Sequence, residues 1–321
     1  MKQRQNNSSR IIQIGLLLVA LLSLNTDKTT AQSTLTSASF SYIYTKTTKP
    51  VRTVVIDTSG RWLSTFTDGS YTVTLNGPIR TFTGSTASNA VSTSIWVRTL
   101  SAPFAGKVDE AWLTSALADR SADVLETAMH YVENAPPTYN TAALKIEGDA
   151  SYGPLLADGT HQEGSDFNDY LGIPWAYFNF VDQPESSQVN SLDCSGFVRM
   201  VFGYRMGLPL TLSPDGSSLP RRAVTMLESA PGVEVIPNSG QQAEDISPLS
   251  AGDLVFFDAS INDGTAIDHV GIFLGQDTGG NFRFISSRKS INGPTLGDYN
   301  GKSILNGTGL YARAFRAARR L

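Results

Sequence analysis

Cysteine is almost absent: Cys194 is the only one in 321 residues, so no internal disulfide can form. Histidine is nearly as scarce, with His130, His161 and His269 as the full set. Three scattered histidines and one thiol fall short of a ligand cluster at zinc spacing, so no metal and no other cofactor is expected. No Gly-rich phosphate loop follows a strand. Strong charge is missing as well: 25 Lys and Arg against 29 Asp and Glu give a formal net charge of -4 and a pI near 5.4. Without a basic face, nucleic acid is excluded as the main partner. There is no internal repeat of fixed period, and no low-complexity tract beyond a Thr/Ser bias.

One apolar run stands out, IIQIGLLLVALLSL at residues 11–24, about fourteen residues long. It is preceded by Lys2, Arg4 and Arg10 and followed by small residues at Thr29, Thr30 and Ala31. Its length is below the ~20 residues of a spanning helix, so residues 1–31 read as a secretory signal peptide and not as a stable membrane anchor. No cysteine lies beside the cleavage site to carry a lipid. The remainder is expected outside the cell membrane, extracellular, in the wall or in a periplasm. At 40% hydrophobic and 17% charged, it can build a core without covalent staples.

The character of the chain changes along its length. Residues 32–106 are rich in Thr, Ser and β-branched side chains, with Ser-Gly, Asp-Gly and Asn-Gly pairs between short alternating runs; these predict a small β-rich domain of hairpins. Trp62, Tyr71 and Trp96 read there as core in preference to a sugar platform. Residues 107–165 form a helical segment and connector: Trp112, Leu113, Ala116 and Leu117 make one stripe, and Val124, Leu125, Ala128, Met129 and Val132 another. Ser121 reads as the second helix's N-cap, and Pro136-Pro137 ends it. Residues 166–321 carry the chemistry. The basic ending YARAFRAARRL, with Arg313, Arg316, Arg319 and Arg320, reads as a solvated last strand.

Within LDCSGFVRMVFGYRMGL, apolar residues at helical spacing place Cys194 at a helix start. Unpaired N–H groups and the positive dipole end favour a thiolate there, which makes Cys194 a candidate nucleophile. Ser195 and Gly196 are small enough for a substrate carbonyl to approach the backbone. A thiolate needs a base. His130 lies on a helical stretch and His161 in a polar loop, whereas His269 opens the strand HVGIFLG. Alternation sets His269, Gly271 and Phe273 on one face, against Val270, Ile272 and Leu274 on the other. Packing then orients the imidazole, as a catalytic base requires.

LDCSGFVRMVFG, LSAGDLVFFD and DHVGIFLG, in that order, resemble the NlpC-type family of papain-like cell-wall endopeptidases over roughly the last 150 residues. The resemblance implies an α+β fold, in which the cysteine helix packs on a small antiparallel sheet, here preceded by the β-rich domain. It implies hydrolysis of a peptidoglycan stem-peptide amide, after D-glutamate in γ linkage to diaminopimelate or lysine, with Cys194 as nucleophile and His269 as base. Peptidoglycan is then the partner, and the protein a monomer. The family's third catalytic position, usually His, Asn or Gln, falls on Ser286 in FRFISSRKS, since Ser287 faces the other way on a regular strand. Upstream, where the family reads P-Y-x-W-G, this chain has GIPWAYFN, with Trp175 at the tyrosine position and Tyr177 in the next aromatic slot. Asp193, Ser195, Trp175 and Tyr177 are the expected substrate-binding residues. Two other functions fit the same residues: a catalytically silent wall-binding protein, and a cysteine amidase or acyltransferase on another amide or ester.

Overall fold

The computed structural model describes residues 41–260 and 264–321. The expected signal segment, residues 1–31, lies outside them. Five strands open the described chain: β1 (Tyr42–Thr47), β2 (Arg52–Asp57), β3 (Trp62–Thr67), β4 (Thr72–Phe82) and β5 (Val91–Thr99), paired in sequence order as an antiparallel meander. Ser59-Gly60 and Asp68-Gly69 make turns as expected, but Asn76-Gly77 lies inside β4, where the register with β5 shifts. The indole of Trp96 explains the glycine: a Cβ at residue 77 would come within 2.4 Å of that ring. Trp96 and Tyr71 are buried, in line with their assignment to the core.

Helix α1 (Glu110–Ala118) starts at Asp109, and α2 (Val124–Met129) at Asp123, whose carboxylate accepts from the Glu126 N–H at 2.9 Å. The expected cap Ser121 instead receives Arg98, whose guanidinium donates to its carbonyl at 2.6 Å and to its hydroxyl at 3.2 Å. Two short hairpins flank α3 (Phe167–Leu171): β6 (Thr138–Tyr139) with β7 (Lys145–Glu147), and β8 (Trp175–Ala176) with β9 (Val181–Asp182). Helix α4 (Cys194–Val198) runs straight into a π-helical stretch, Arg199–Arg205. Then come α5 (Ala223–Ser229), β10 (Val233–Ile236), β11 (Leu254–Phe257), β12 (His269–Gln276), β13 (Phe282–Arg288), β14 (Gly293–Thr295), α6 (Leu310–Ala314) and β15 (Phe315–Arg320). The second sheet is antiparallel, in the order β10-β15-β11-β12-β13-β14.

The period-2 alternation of β12 divides the core as the sequence suggests. Val270, Ile272 and Leu274 join one buried cluster with Phe197, Val198 and Val201 of the cysteine helix. Phe273, on the opposite face, joins Phe257, Phe284, Tyr311 and Phe315 in another. Phe82, Val91 and Val97 of the first sheet, with Tyr71 just before β4, lie in the same cluster as the cysteine helix, so no boundary near residue 106 interrupts the packing. Ser41–Leu321 forms one compact unit.

The C-terminal arginines hold that unit together, and the last strand is not a solvated one. Arg320 is buried, pairs with Asp253 at 2.8 Å and donates to the Thr67 hydroxyl at 3.0 Å. Arg319 donates to the carbonyls of Leu227 and Ala230, and Arg316 pairs with Asp258. The Leu321 carbonyl accepts from the Thr72 backbone N–H at 2.7 Å. Buried guanidinium groups need such partners, because an unpaired buried charge is strongly unfavourable.

Candidate active site

A cleft of about 880 Å³ opens beside α4, lined by Tyr152, Asp193, Cys194, Ser195, Arg221 and His269, among others. It brings together residues that are 75 positions apart in the chain, and the local backbone explains how. The N-cap Asp193 accepts from the Gly196 N–H at 2.7 Å and so fixes the first turn of α4. The start of β12 passes that turn: the Cys194 thiol lies 4.0 Å from the Asp268 carbonyl, and the Val270 backbone N–H bonds to its sulfur. The sulfur therefore sits against the backbone on either side of His269. On the sheet side, His269 Nε2 and the Ser286 hydroxyl are 3.0 Å apart. This leaves Nδ1 as the ring nitrogen on the cleft side. The three residues expected to be catalytic form one constellation.

Two glycines make room for it. A Cβ on Gly196 would lie 2.1 Å from the Ser165 carbonyl oxygen, so this residue serves close packing against the segment before α3. It does not open a path for substrate. A Cβ on Gly271 would lie 2.8 Å from the Ile285 carbonyl and 3.1 Å from the Ser286 Cβ. Its absence lets β13 approach and bring Ser286 to the imidazole. Ser287 points the other way and donates to the Leu192 carbonyl at 2.5 Å, tying β13 to the loop before the nucleophile.

The electrostatics differ from the sequence expectation. Burial, followed by the neighbouring Asp193 carboxylate, pushes the Cys194 thiol up to about 12, against the lowering effect of the Val270 N–H and Arg221. Burial, then the Arg288 guanidinium, pushes His269 down to about 3. The resting pair is a neutral thiol and a neutral imidazole, not the low-pKa thiolate that a helix start suggests. Asp193 is itself deeply buried, which works against its charge, yet Arg221 and the N–H groups of Gly196 and Gly164 outweigh this and keep its carboxyl below the usual range.

Not every expected binding residue lies where it can touch substrate. Asp193 and Ser195 line the cleft, but both are committed to Arg221: its guanidinium reaches Asp193 Oδ2 at 2.7 Å and Ser195 Oγ at 2.6 Å. Trp175 and Tyr177 are outside the cleft lining. Trp175 packs edge-on against Phe167 at 5.0 Å, and the Tyr177 hydroxyl meets Arg199, which in turn pairs with Asp166 at 2.9 Å. These aromatics steady the loop behind the nucleophile. The aromatic beside the nucleophile is Tyr152, whose phenol is pushed up by burial and by Cys194 and Asp193. Its word, ASYGP, carries no helix or strand pattern, and sequence reasoning passed over it. Arg221, Arg288 and Tyr311 were missed as well, because the groups each one meets are brought together by the fold. His130 bonds Glu147 and His161 bonds the Gly153 carbonyl, both at 2.9 Å and away from the cleft lining.

A cysteine at a helix start, a histidine opening β12 and a hydroxyl on β13 make an arrangement suited to thiol nucleophilic chemistry. Residues 183–302, the segment holding all three residues, match the model of the NlpC/P60 family. Among solved structures, the chain is similar to a Staphylococcus aureus subsp. aureus Mu50 protein described as similar to a lipoprotein of the NLP/P60 family. The identity is 24% and the TM-score 0.26, covering 48% of this chain and 38% of that one. The chain thus spans well under half of that neighbour's length. No curated protein matches significantly. Among the described residues no helix is long and apolar enough to cross a membrane.

Proposed function

We propose that this protein is a cysteine peptidase of the cell wall that hydrolyses an amide of peptidoglycan stem peptides, acting outside the membrane after export. The observation that carries the reading is the meeting of Cys194 and His269 in a single cleft, with Ser286 bonded behind the imidazole, within the segment that matches the NlpC/P60 family. The thiol attacks the amide carbonyl, its proton goes to the imidazole, and a C–S bond forms. The imidazolium then gives the proton to the leaving amine as the C–N bond breaks. Water, deprotonated by the same imidazole, releases the acid and restores the thiol. The bond after D-glutamate in γ linkage, to diaminopimelate or lysine, is the proposed target. The cleft at Cys194, rather than Trp175 and Tyr177, is where its backbone would meet the enzyme.

Mass spectrometry of muropeptides tests this. Digestion of purified peptidoglycan by the 41–321 chain should yield fragments that each gain one water at a stem-peptide amide, and Cys194→Ala should abolish them. An unchanged muropeptide profile with the wild-type chain would overturn the proposal. It would favour a wall-binding role, or action on another acyl substrate.

A further inference from the structure

We infer that Arg288 and Ser286 together hold the resting His269 in the tautomer that carries its proton on Nδ1, so that the nucleophile has no base until the Ser286 hydroxyl turns. The inference rests on His269 being the base of the proposed hydrolase.

Hydrogen-bond accounting leads to it. Ser286 is fully buried, and its hydroxyl has two partners: His269 Nε2 at 3.0 Å and the Arg288 Nε–H at 3.3 Å. A guanidinium N–H only donates, so Arg288 takes a lone pair of the Ser286 oxygen and cannot receive its proton. A buried hydroxyl left without an acceptor is penalised, and the acceptor within reach is Nε2. A ring nitrogen that accepts carries no proton, so the neutral imidazole holds its single proton on Nδ1, facing the cleft. Taking a proton from the Cys194 thiol requires the reverse arrangement, with Nε2–H donating to Ser286.

Arg288 is held where it enforces this state. It is 1% exposed, and among the described residues it forms no ion pair with a carboxylate. Neutral groups fix it: the Gly301 carbonyl, the Ser303 hydroxyl, and the rings of Tyr311 at 4.4 Å and Phe284 at 5.3 Å. The carboxylate that acts on it, Asp298, is itself paired with Arg283 at 2.9 Å, so the positive charge behind His269 is only partly offset. That charge makes the Ser286 O–H a better donor and a poorer acceptor, which favours the Nδ1–H form. Burial lowers the guanidinium itself to about 10, and Arg288 is the second cause, after burial, of the low His269 value. A hydroxyl can swing between donor and acceptor by rotation about one bond. In activation, water takes the proton from Nδ1 and water returns one to Nε2, so the ring's proton count is unchanged while the hydroxyl turns to accept.

Nitrogen-15 NMR of histidine-labelled protein at pH 7 tests the assignment. There are three histidines, and the signal lost in His269→Gln identifies the one in question. The expected spectrum shows a protonated Nδ1 and a bare Nε2. Arg288→Met keeps the length and stacking of the side chain but removes the charge and the donor. It should shift His269 towards the Nε2–H form and speed alkylation of Cys194 by iodoacetamide roughly three- to tenfold, the scale of one neutral hydrogen bond. A wild-type proton on Nε2 overturns the inference, as does an unchanged tautomer in Arg288→Met. If that variant does not fold, Ser286→Ala should make the same shift, and an unchanged tautomer there also overturns the inference. Failure of muropeptide hydrolysis would instead remove the enzymatic reading and leave the tautomer result standing.

Discussion

Two effects act in opposite directions on the Cys194 thiol. A helix start favours the thiolate by about 0.3–1 kcal/mol, whereas desolvating a charge moves a buried group by up to 3–5 pKa units. Burial wins, and Asp193 adds to it. We therefore expect iodoacetamide to react slowly with Cys194 at pH 7 and its rate to keep rising, without levelling off, towards about pH 12. A rate that has levelled off by pH 7 would contradict this. His269 makes a linked prediction for stability. Its folded pKa of about 3 lies below the unfolded value of 6.5, so its contribution is complete above pH 6.5 and declines as the pH falls towards 3. One unit is worth ~1.4 kcal/mol, so His269→Gln should remove a loss of a few kcal/mol across that window in urea melts. Identical pH profiles for the two chains would show that His269 is not held neutral. Cys194, His269 and Ser286 were legible in the sequence because each sits in a short word whose period fixes its direction. Tyr152 and Arg221 were not, because a carboxylate or thiol chooses its partner through the fold, not along the chain.

At the scale of elements, the strand pattern of β12 told correctly which face meets the cysteine helix, since alternation follows directly from the pleat. The glycines told less. Gly196 and Asn76-Gly77 look like access and a turn, but each is set by a neighbour arriving from elsewhere, the Ser165 carbonyl and the Trp96 ring. Trp175 and Tyr177 likewise lie outside the cleft lining, because their partners, Phe167 and Arg199, come from elsewhere in the chain. Gly196→Ala should destabilise the fold by roughly 1–3 kcal/mol, the usual scale of overpacking, because its methyl meets backbone at 2.1 Å. Chemical denaturation measures this, and a neutral outcome would show that the segment at Ser165 yields easily.

For the molecule as a whole, composition shifts suggested a detachable β-rich domain, and composition cannot report which surfaces become shared. Val91 and Val97 are fully buried in the cluster that also contains Phe197 and Val201, and Arg320 bonds Thr67 across the join. Removing residues 41–106 would expose that cluster. A chain of residues 107–321 should lack a cooperative thermal transition, while 41–321 melts in one step with both sheets reporting together. A shortened chain that melts sharply would mean that the two parts have separate cores.

The most direct test of the central claim is capture of the acyl-enzyme. Acid quenching of the 41–321 chain during turnover of stem peptides, followed by peptide mass spectrometry, should find a thioester on the peptide containing Cys194 and on no other. Product formation that persists in Cys194→Ala, or an acyl group found on a different residue, would contradict the account.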